Sequence, residues 1–383
     1  MAKFICDYPW THFEVNNPNG DVTMCCDNQT VLGNVNENTL EEIWNAAEYQ
    51  EIRERMLQKG AEIICPRDCP VVKGFKSYQN LKWYKKLDPE TSLFQNAQKN
   101  EEEFKAKKLV LQSKPRWMRF AYSWVCNLAC YHCYQLDIRK KDVKLPDAFI
   151  EKVYELSELY QVLYFYGGEP FMYKPTVSLM QKQTNPFCRY FFVTNATVLT
   201  EEHFQLLENL NIGMFAISLD AATEESYELL RKKGLWSRVM QNLQRIAELK
   251  KKNEFTLTIS MTVNNKNASE IERFVDLGLK YGAEPLFILV CNTKSELKFQ
   301  KEYLNFSEKT FAEIFKQIEN SLAKVDKQGW RDSFLSLKHL QTRLEYHRKS
   351  ENNLVKFSLK QKLKSIFYLL PRSLQDSIRK IMQ

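Results

Sequence analysis

A chain of 383 residues, 44% of them apolar and 27% charged, is long enough for one large domain with a small companion and apolar enough to bury a core. No run approaches the roughly 20 apolar residues that span a bilayer, and Met1-Ala2-Lys3-Phe4-Ile5-Cys6-Asp7 meets polar residues and Pro9 early, so a cytosolic protein without a secretory leader is expected. In that compartment ten cysteines read as metal ligands or catalytic groups rather than disulfides, and the net charge of +8 becomes informative only once it is located.

Five of the cysteines, Cys6, Cys25, Cys26, Cys65 and Cys69, fall within the first 69 residues. Residues 1–75 read as a small cysteine-bearing module. It runs through Pro9-Trp10, Gly20-Asp21-Val22-Thr23-Met24-Cys25-Cys26, Leu32-Gly33-Asn34, Ile43-Trp44-Asn45 and Cys65-Pro66-Arg67-Asp68-Cys69. Residues 76–114 read as a linker with a charged helix, in which Glu101 precedes Lys105 and Glu103 precedes Lys107 in the favourable i,i+4 order.

From about residue 115 short β-type runs alternate with helical stretches, which predicts parallel βα units. The predicted strands are 117–123, 161–166, 189–194, 213–219, 255–263 and 285–290. Six units suit an open barrel or a doubly wound sheet, and the alternation does not separate the two. In a barrel, ligands gather at the C-terminal ends of the strands. Cys126, Cys130 and Cys133 follow the first strand, and three thiolates at this spacing can hold three irons of a cubane cluster while leaving the fourth open. Gly167-Gly168-Glu169-Pro170 follows the second strand, where two residues without Cβ let a backbone edge approach a ligand. Thr194-Asn195 ends the third. On the fourth, the two-residue period sets Ala216, Ser218 and Asp220 on one face, directed inward, and Phe215, Ile217 and Leu219 on the other. The fifth repeats this with Thr256, Thr258, Ser260 and Thr262, and Cys291 follows the sixth.

The excess charge lies in residues 331–383, which hold twelve Lys/Arg against four Asp/Glu. There Leu359, Leu363, Ile366, Phe367 and Leu370 fall at helical spacing beside Lys356, Lys360, Lys362 and Lys364, with Pro371 closing the turn. Such a helix either lies on an anionic membrane surface, making the protein membrane-peripheral, or packs its apolar face on the barrel.

The run Cys126-Asn127-Leu128-Ala129-Cys130-Tyr131-His132-Cys133 closely resembles the Cys-x3-Cys-x-aromatic-Cys loop of radical S-adenosylmethionine enzymes. His132 takes the aromatic slot, a substitution that recurs in the family's peptide-modifying branch. The order of residues in 1–75 resembles the SPASM and twitch auxiliary-cluster modules of the same family. The resemblance implies an α/β fold: a partial (β/α)6 barrel at 115–325, preceded by the module at 1–75 and the helical linker, and followed by a basic helical tail at 326–383. It implies S-adenosylmethionine and a [4Fe–4S] cluster on Cys126, Cys130 and Cys133. Gly167, Gly168 and Glu169 would receive the cofactor's methionine amino group, Asn195, Ser218 and Asp220 would make polar contacts, and Arg231 would partner its carboxylate. A second, auxiliary [4Fe–4S] cluster would sit on Cys6, Cys25, Cys65 and Cys69; zinc satisfies four thiolates equally well, and Cys26 is the alternative to Cys25, which the glycine spacing favours.

The implied activity is hydrogen abstraction by a 5′-deoxyadenosyl radical, with a reductant such as flavodoxin or ferredoxin as partner. The leading reading is an oxidoreductase acting on a peptide or a small hydroxylated, sugar-like molecule. A redox-neutral epimerase or cyclase, and an iron–sulfur sensor or electron carrier without turnover, are the alternatives. No RNA-recognition signature is present, which argues against a nucleic-acid substrate. The module precedes the barrel here, whereas in most relatives it follows, and it has cysteines for only one cluster, so substrate class does not transfer from the family.

Overall fold

The computed structural model describes residues 4–349 apart from 26–27, 29, 67–68, 70, 73–80, 134, 137–142, 183–184 and 291–301. Cys26, Cys291 and the whole amphipathic stretch from Lys356 to Pro371 lie outside the described residues. Among the described residues no helix is long and apolar enough to cross a membrane.

Among the described residues nine strands form one sheet: β1 (His12–Val15), β2 (Asp21–Thr23), β3 (Val31–Asn34), β4 (Trp117–Ala121), β5 (Val162–Tyr166), β6 (Arg189–Thr194), β7 (Ile212–Ser218), β8 (Thr256–Val263) and β9 (Glu284–Leu289). Their order is β3-β2-β1-β4-β5-β6-β7-β8-β9, and every neighbouring pair from β4 to β9 is parallel. Helices Asp147–Glu155, Lys174–Gln181, Glu201–Glu208, Trp236–Lys252, Ile271–Tyr281 and Glu308–Lys327 follow β4 to β9 in turn. These are the six expected βα units.

Alternation along the strands separates two faces, and it distinguishes a barrel from a doubly wound sheet. Met118, Phe120, Phe165, Phe192, Phe215, Ile217, Leu257 and Ile259 join the main core with Phe149, Leu207, Leu243, Ile246 and Phe274 of the helices. The opposite face carries a small separate cluster, Trp117, Val162, Phe191 and Met214 closed by Leu81, which plugs the bottom of the lumen. With the helices that follow β4 to β9 sharing one face, the fold is a partial (β/α)6 barrel.

The N-terminal module is joined to the barrel through the sheet itself. β1 runs parallel to β4, pairing His12 with Trp117 and Val15 with Phe120, and antiparallel to β2. It therefore covers the edge that β4 would otherwise expose. Helix Ala47–Lys59 backs the module and carries Arg53, which is fully buried. Its guanidinium donates to the carbonyls of Pro9 (2.9 Å), Leu109 (2.6 Å) and Trp44 (2.8 Å), tying three segments together.

In the linker, Thr91 caps helix Ser92–Lys105 and the Glu101–Lys105 pair forms at 2.9 Å. The expected Glu103–Lys107 pair does not fit this geometry. The helix ends at Lys105 and Lys107 turns to φ 56°, while buried Glu103 accepts from the amides of Gln112 (2.8 Å) and Ser113 (3.2 Å) and from the Ser113 hydroxyl (2.6 Å). After β9 the chain is helical over Glu308–Lys327 and again over residues 331–349.

Candidate active site

The cysteine loop leaves β4 at its C-terminal end and is held by the ends of β5 and β6 and by the end of helix Glu224–Leu230. Gly168 and Glu169, just past β5, donate their amides to the carbonyls of Ser123 (3.0 Å) and Val125 (3.1 Å). Both glycines are needed there. A Cβ on Gly168 would stand 2.0 Å from the Val125 oxygen, and one on Gly167, at φ +125°, 2.9 Å from the Ser123 oxygen. The Tyr173 hydroxyl donates to the same two carbonyls. From past β7, the Leu230 and Lys232 carbonyls accept from Tyr131 (2.7 Å) and Ala129 (2.9 Å). The loop is thus pinned at both ends before any ligand binds.

Glu169 is completely buried. Its carboxylate accepts from the Thr194 hydroxyl (2.7 Å) and the amides of Asn195 (2.8 Å) and Phe171 (3.3 Å), which ties the end of β5 to the end of β6. Burial pushes its acid up to about 7, against the pull of those hydrogen bonds. The structure makes this side chain a brace, leaving the backbone around Gly167 as the part of the motif free to meet a ligand.

Asn195 lies beside the loop: its side-chain amide is 3.5 Å from the Cys126 sulfur and 2.9 Å from Asn127 Oδ1. Asn127 in turn donates to Thr197 at 2.8 Å. Cys130 is buried, whereas Cys126 and Cys133 are half-buried. Burial pushes the Cys126 thiol up to about 11.

β7 ends at Ser218, which is half-buried on the lumen face level with Ser260 of β8. Asp220 does not continue that alternation, because it sits past the strand end at φ 64°. It is fully buried, with Oδ2 2.6 Å from Arg231 and 3.1 Å from His132 Nε2, and with Oδ1 accepting from the Thr262 amide at 2.7 Å. Burial opposes its ionisation, but Arg231 and His132 hold its carboxyl well below the usual range. Asp220, expected from the resemblance to contact the cofactor, thus lies in a buried ion pair with Arg231. Arg231, read from sequence as a contact for a carboxylate, lies in this pair and donates to the Cys130 sulfur at 3.6 Å.

The lumen wall also draws on the N-terminal module. Arg119 of β4 pairs with Glu14 of β1 at 3.1 Å and lies 4.1 Å over the Tyr166 ring and 4.9 Å over that of Tyr164. The Tyr166 hydroxyl donates to Asn16 at 2.6 Å. Sequence reasoning missed Glu14, Asn16, Arg119, Asn127 and Tyr173, because their roles arise from pairings between distant segments. His132 carried a signal, since it stands inside the cysteine spacing.

Cys6, Cys25, Cys65 and Cys69 are all buried. The hydrogen bond to Cys69, burial, and the nearby Cys6 and Cys25 all push the Cys65 thiol up, so the four thiols share one neighbourhood. That neighbourhood lies at the opposite end of the sheet from the Cys126 loop. Cys6 precedes β1 and Cys25 follows antiparallel β2, both at the end where β4 begins. The five residues of β4, at about 3.3 Å each, put about 16 Å of strand between the two ends. Among the described residues no three His, Cys, Asp or Glu side chains close around a single-ion position.

Three thiols on a braced loop, N–H donors aimed at two of their sulfurs, and the buried Nδ1 of His132 and Nε of Arg231 without partners among the described residues, fit a cluster with a polar cofactor beside it.

Residues 123–278 match the model of the radical SAM superfamily, and residues 6–70 match that of SPASM, an iron–sulfur cluster-binding domain. The chain is 25% identical over 181 residues to the AdoMet-dependent heme synthase of Methanosarcina barkeri, covering 46% of this chain and 50% of that protein. It is 27% identical over 172 residues to the mycofactocin maturase MftC of Mycolicibacterium smegmatis, covering 44% and 43%. The chain thus spans about half the length of the curated relatives it matches. Among solved structures, SuiB of Streptococcus suis bound to its precursor peptide SuiA aligns at TM-score 0.45 and 14% identity, covering 86% of this chain and 71% of that one.

Proposed function

We propose that this chain, a radical SAM enzyme carrying a SPASM domain ahead of its barrel, oxidises a peptide or a small hydroxylated molecule held in the barrel lumen. When bound, the cluster and S-adenosylmethionine supply a one-electron cleavage that yields a radical able to take hydrogen from unactivated carbon. Cys126, Cys130 and Cys133 would hold that cluster. The backbone at Gly167 and Gly168, with Asn195 and Ser218, would orient the cofactor, and the plug of Trp117, Val162, Phe191 and Met214 excludes water from below.

The observation that carries the reading is the convergence on the cysteine loop of two other strand ends and the C-terminal end of helix Glu224–Leu230, which fixes it at the mouth of the barrel. Hydroxyl groups of Ser218, Ser260 and Thr262 and the Arg119–Glu14 pair line the lumen and favour a polar substrate. Cys6, Cys25, Cys65 and Cys69 would hold the auxiliary cluster. Their place at the far end of the sheet favours electron acceptance or relay over direct contact with substrate.

The test is anaerobic reconstitution followed by dithionite and S-adenosylmethionine: 5′-deoxyadenosine should form. Its absence from iron-loaded protein would refute the activity. Replacing Cys65 and Cys69 by Ala should spare this cleavage and stop product formation once the substrate is identified from what accumulates in a deletion strain. Zinc rather than iron at that site, by elemental analysis, would remove the auxiliary role.

A further inference from the structure

Arg231 is an unusual group to find at a cysteine of this loop. An isolated buried guanidinium is costly and needs a partner. Here it is buried among Asp220, Cys130 and Tyr227, with one nitrogen 2.6 Å from the Asp220 carboxylate in an ion pair and another donating to the Cys130 sulfur at 3.6 Å.

Asp220 is itself immobilised. Its amide donates to the Ser260 carbonyl (3.0 Å), its carbonyl accepts from Asn267 (2.8 Å), and its second carboxylate oxygen accepts from Thr262 (2.7 Å). The guanidinium is therefore aimed at the sulfur by the ends of β7 and β8, and it is buried, where charge is weakly screened. The second donor onto the loop, Asn195 at Cys126, is neutral.

We infer that Arg231, held in place by Asp220, raises the reduction potential of the cluster on Cys126, Cys130 and Cys133. Reduction adds a negative charge to the cluster. A fixed positive charge and an N–H···S hydrogen bond stabilise the reduced form more than the oxidised one, and hydrogen bonds to the sulfurs and local charge are the levers that set such potentials. Arg231 acts through the ligand Cys130, and Asp220 acts through Arg231. The inference rests on the reading that this loop carries a cluster.

The test is an anaerobic redox titration of the full-length, iron-loaded protein followed by electron paramagnetic resonance. The catalytic cluster is recognised as the signal that changes when S-adenosylmethionine is added. Arg231→Gln should make its reduction at least tenfold harder, a shift of about 59 mV to more negative potential for a one-electron couple. Arg231→Lys, which keeps the charge without the fork, should fall between Arg231→Gln and wild type. Asp220→Asn keeps the shape but loosens the guanidinium, and should shift the potential in the same direction as Arg231→Gln, by less because it also removes a negative charge.

A group that merely packs would not give shifts graded from Arg231→Lys to Arg231→Gln. Unchanged potentials in fully loaded Arg231→Gln protein overturn the inference. If that variant loses iron, unchanged potentials in both Arg231→Lys and Asp220→Asn overturn it instead. A wild-type loop that takes up no iron overturns the cluster reading and this inference together.

Discussion

Glu169 shows how a residue in a cofactor motif can be spent on architecture. Its ordinary acid value of 4.5 is raised to about 7 by burial. Between those two values the unfolded chain ionises this group while the folded chain keeps it protonated, so its contribution to stability falls as pH rises through the window. The stability of wild type relative to Glu169→Gln, which has no such titration, should therefore shrink between pH 5.5 and 7. Thermal unfolding at both values measures this, and a difference that grows with pH contradicts the assignment. Gln also leaves one of the Thr194 and Asn195 donors unmatched, at a cost of about 1–3 kcal/mol. Gly168→Ala is a sharper probe. Its Cβ would drive the Val125 carbonyl away, so iron in the catalytic loop should drop to near zero while the auxiliary iron stays.

Among the elements, the six barrel strands were legible because each is a short β-branched or aromatic run, and all six lie within one or two residues of their expected starts. The first was expected to reach residue 123 but stops at Ala121, where the chain turns into the loop that Gly168 and Glu169 hold. β1, β2 and β3 were not legible: they are only three or four residues long, and the pairing of β1 with β4 joins segments about a hundred residues apart. Local spacing carried the readings of the cysteine loop and the glycine pair, whereas the strand alternation that was extended to Asp220 stops at Ser218, and Asp220 lies past it in a left-handed conformation. Helix Ala47–Lys59 owes its docking to Arg53. Arg53→Ala would strand three buried carbonyls and remove the cation stacked 4.7 Å from Trp44, and should cost about 3 kcal/mol or more. Thermal unfolding reads this directly; a loss under 1 kcal/mol would mean that the helix is held by packing alone.

At the scale of the molecule, one sheet unites two cysteine sites that the sequence set in separate modules. Removing residues 1–75 would bare the edge of β4 and leave Arg119 without Glu14. The truncated chain should aggregate, and a soluble monomer on size-exclusion chromatography would show that the barrel closes without its module. The central claim is that the Cys126 loop is the seat of radical chemistry. It is tested most directly by replacing Cys126, Cys130 and Cys133 together with Ala and measuring iron and 5′-deoxyadenosine in the same anaerobic sample. The wild type should hold about eight irons, four per cubane. The variant should hold about half of that and form no 5′-deoxyadenosine under dithionite; continued formation would contradict the claim.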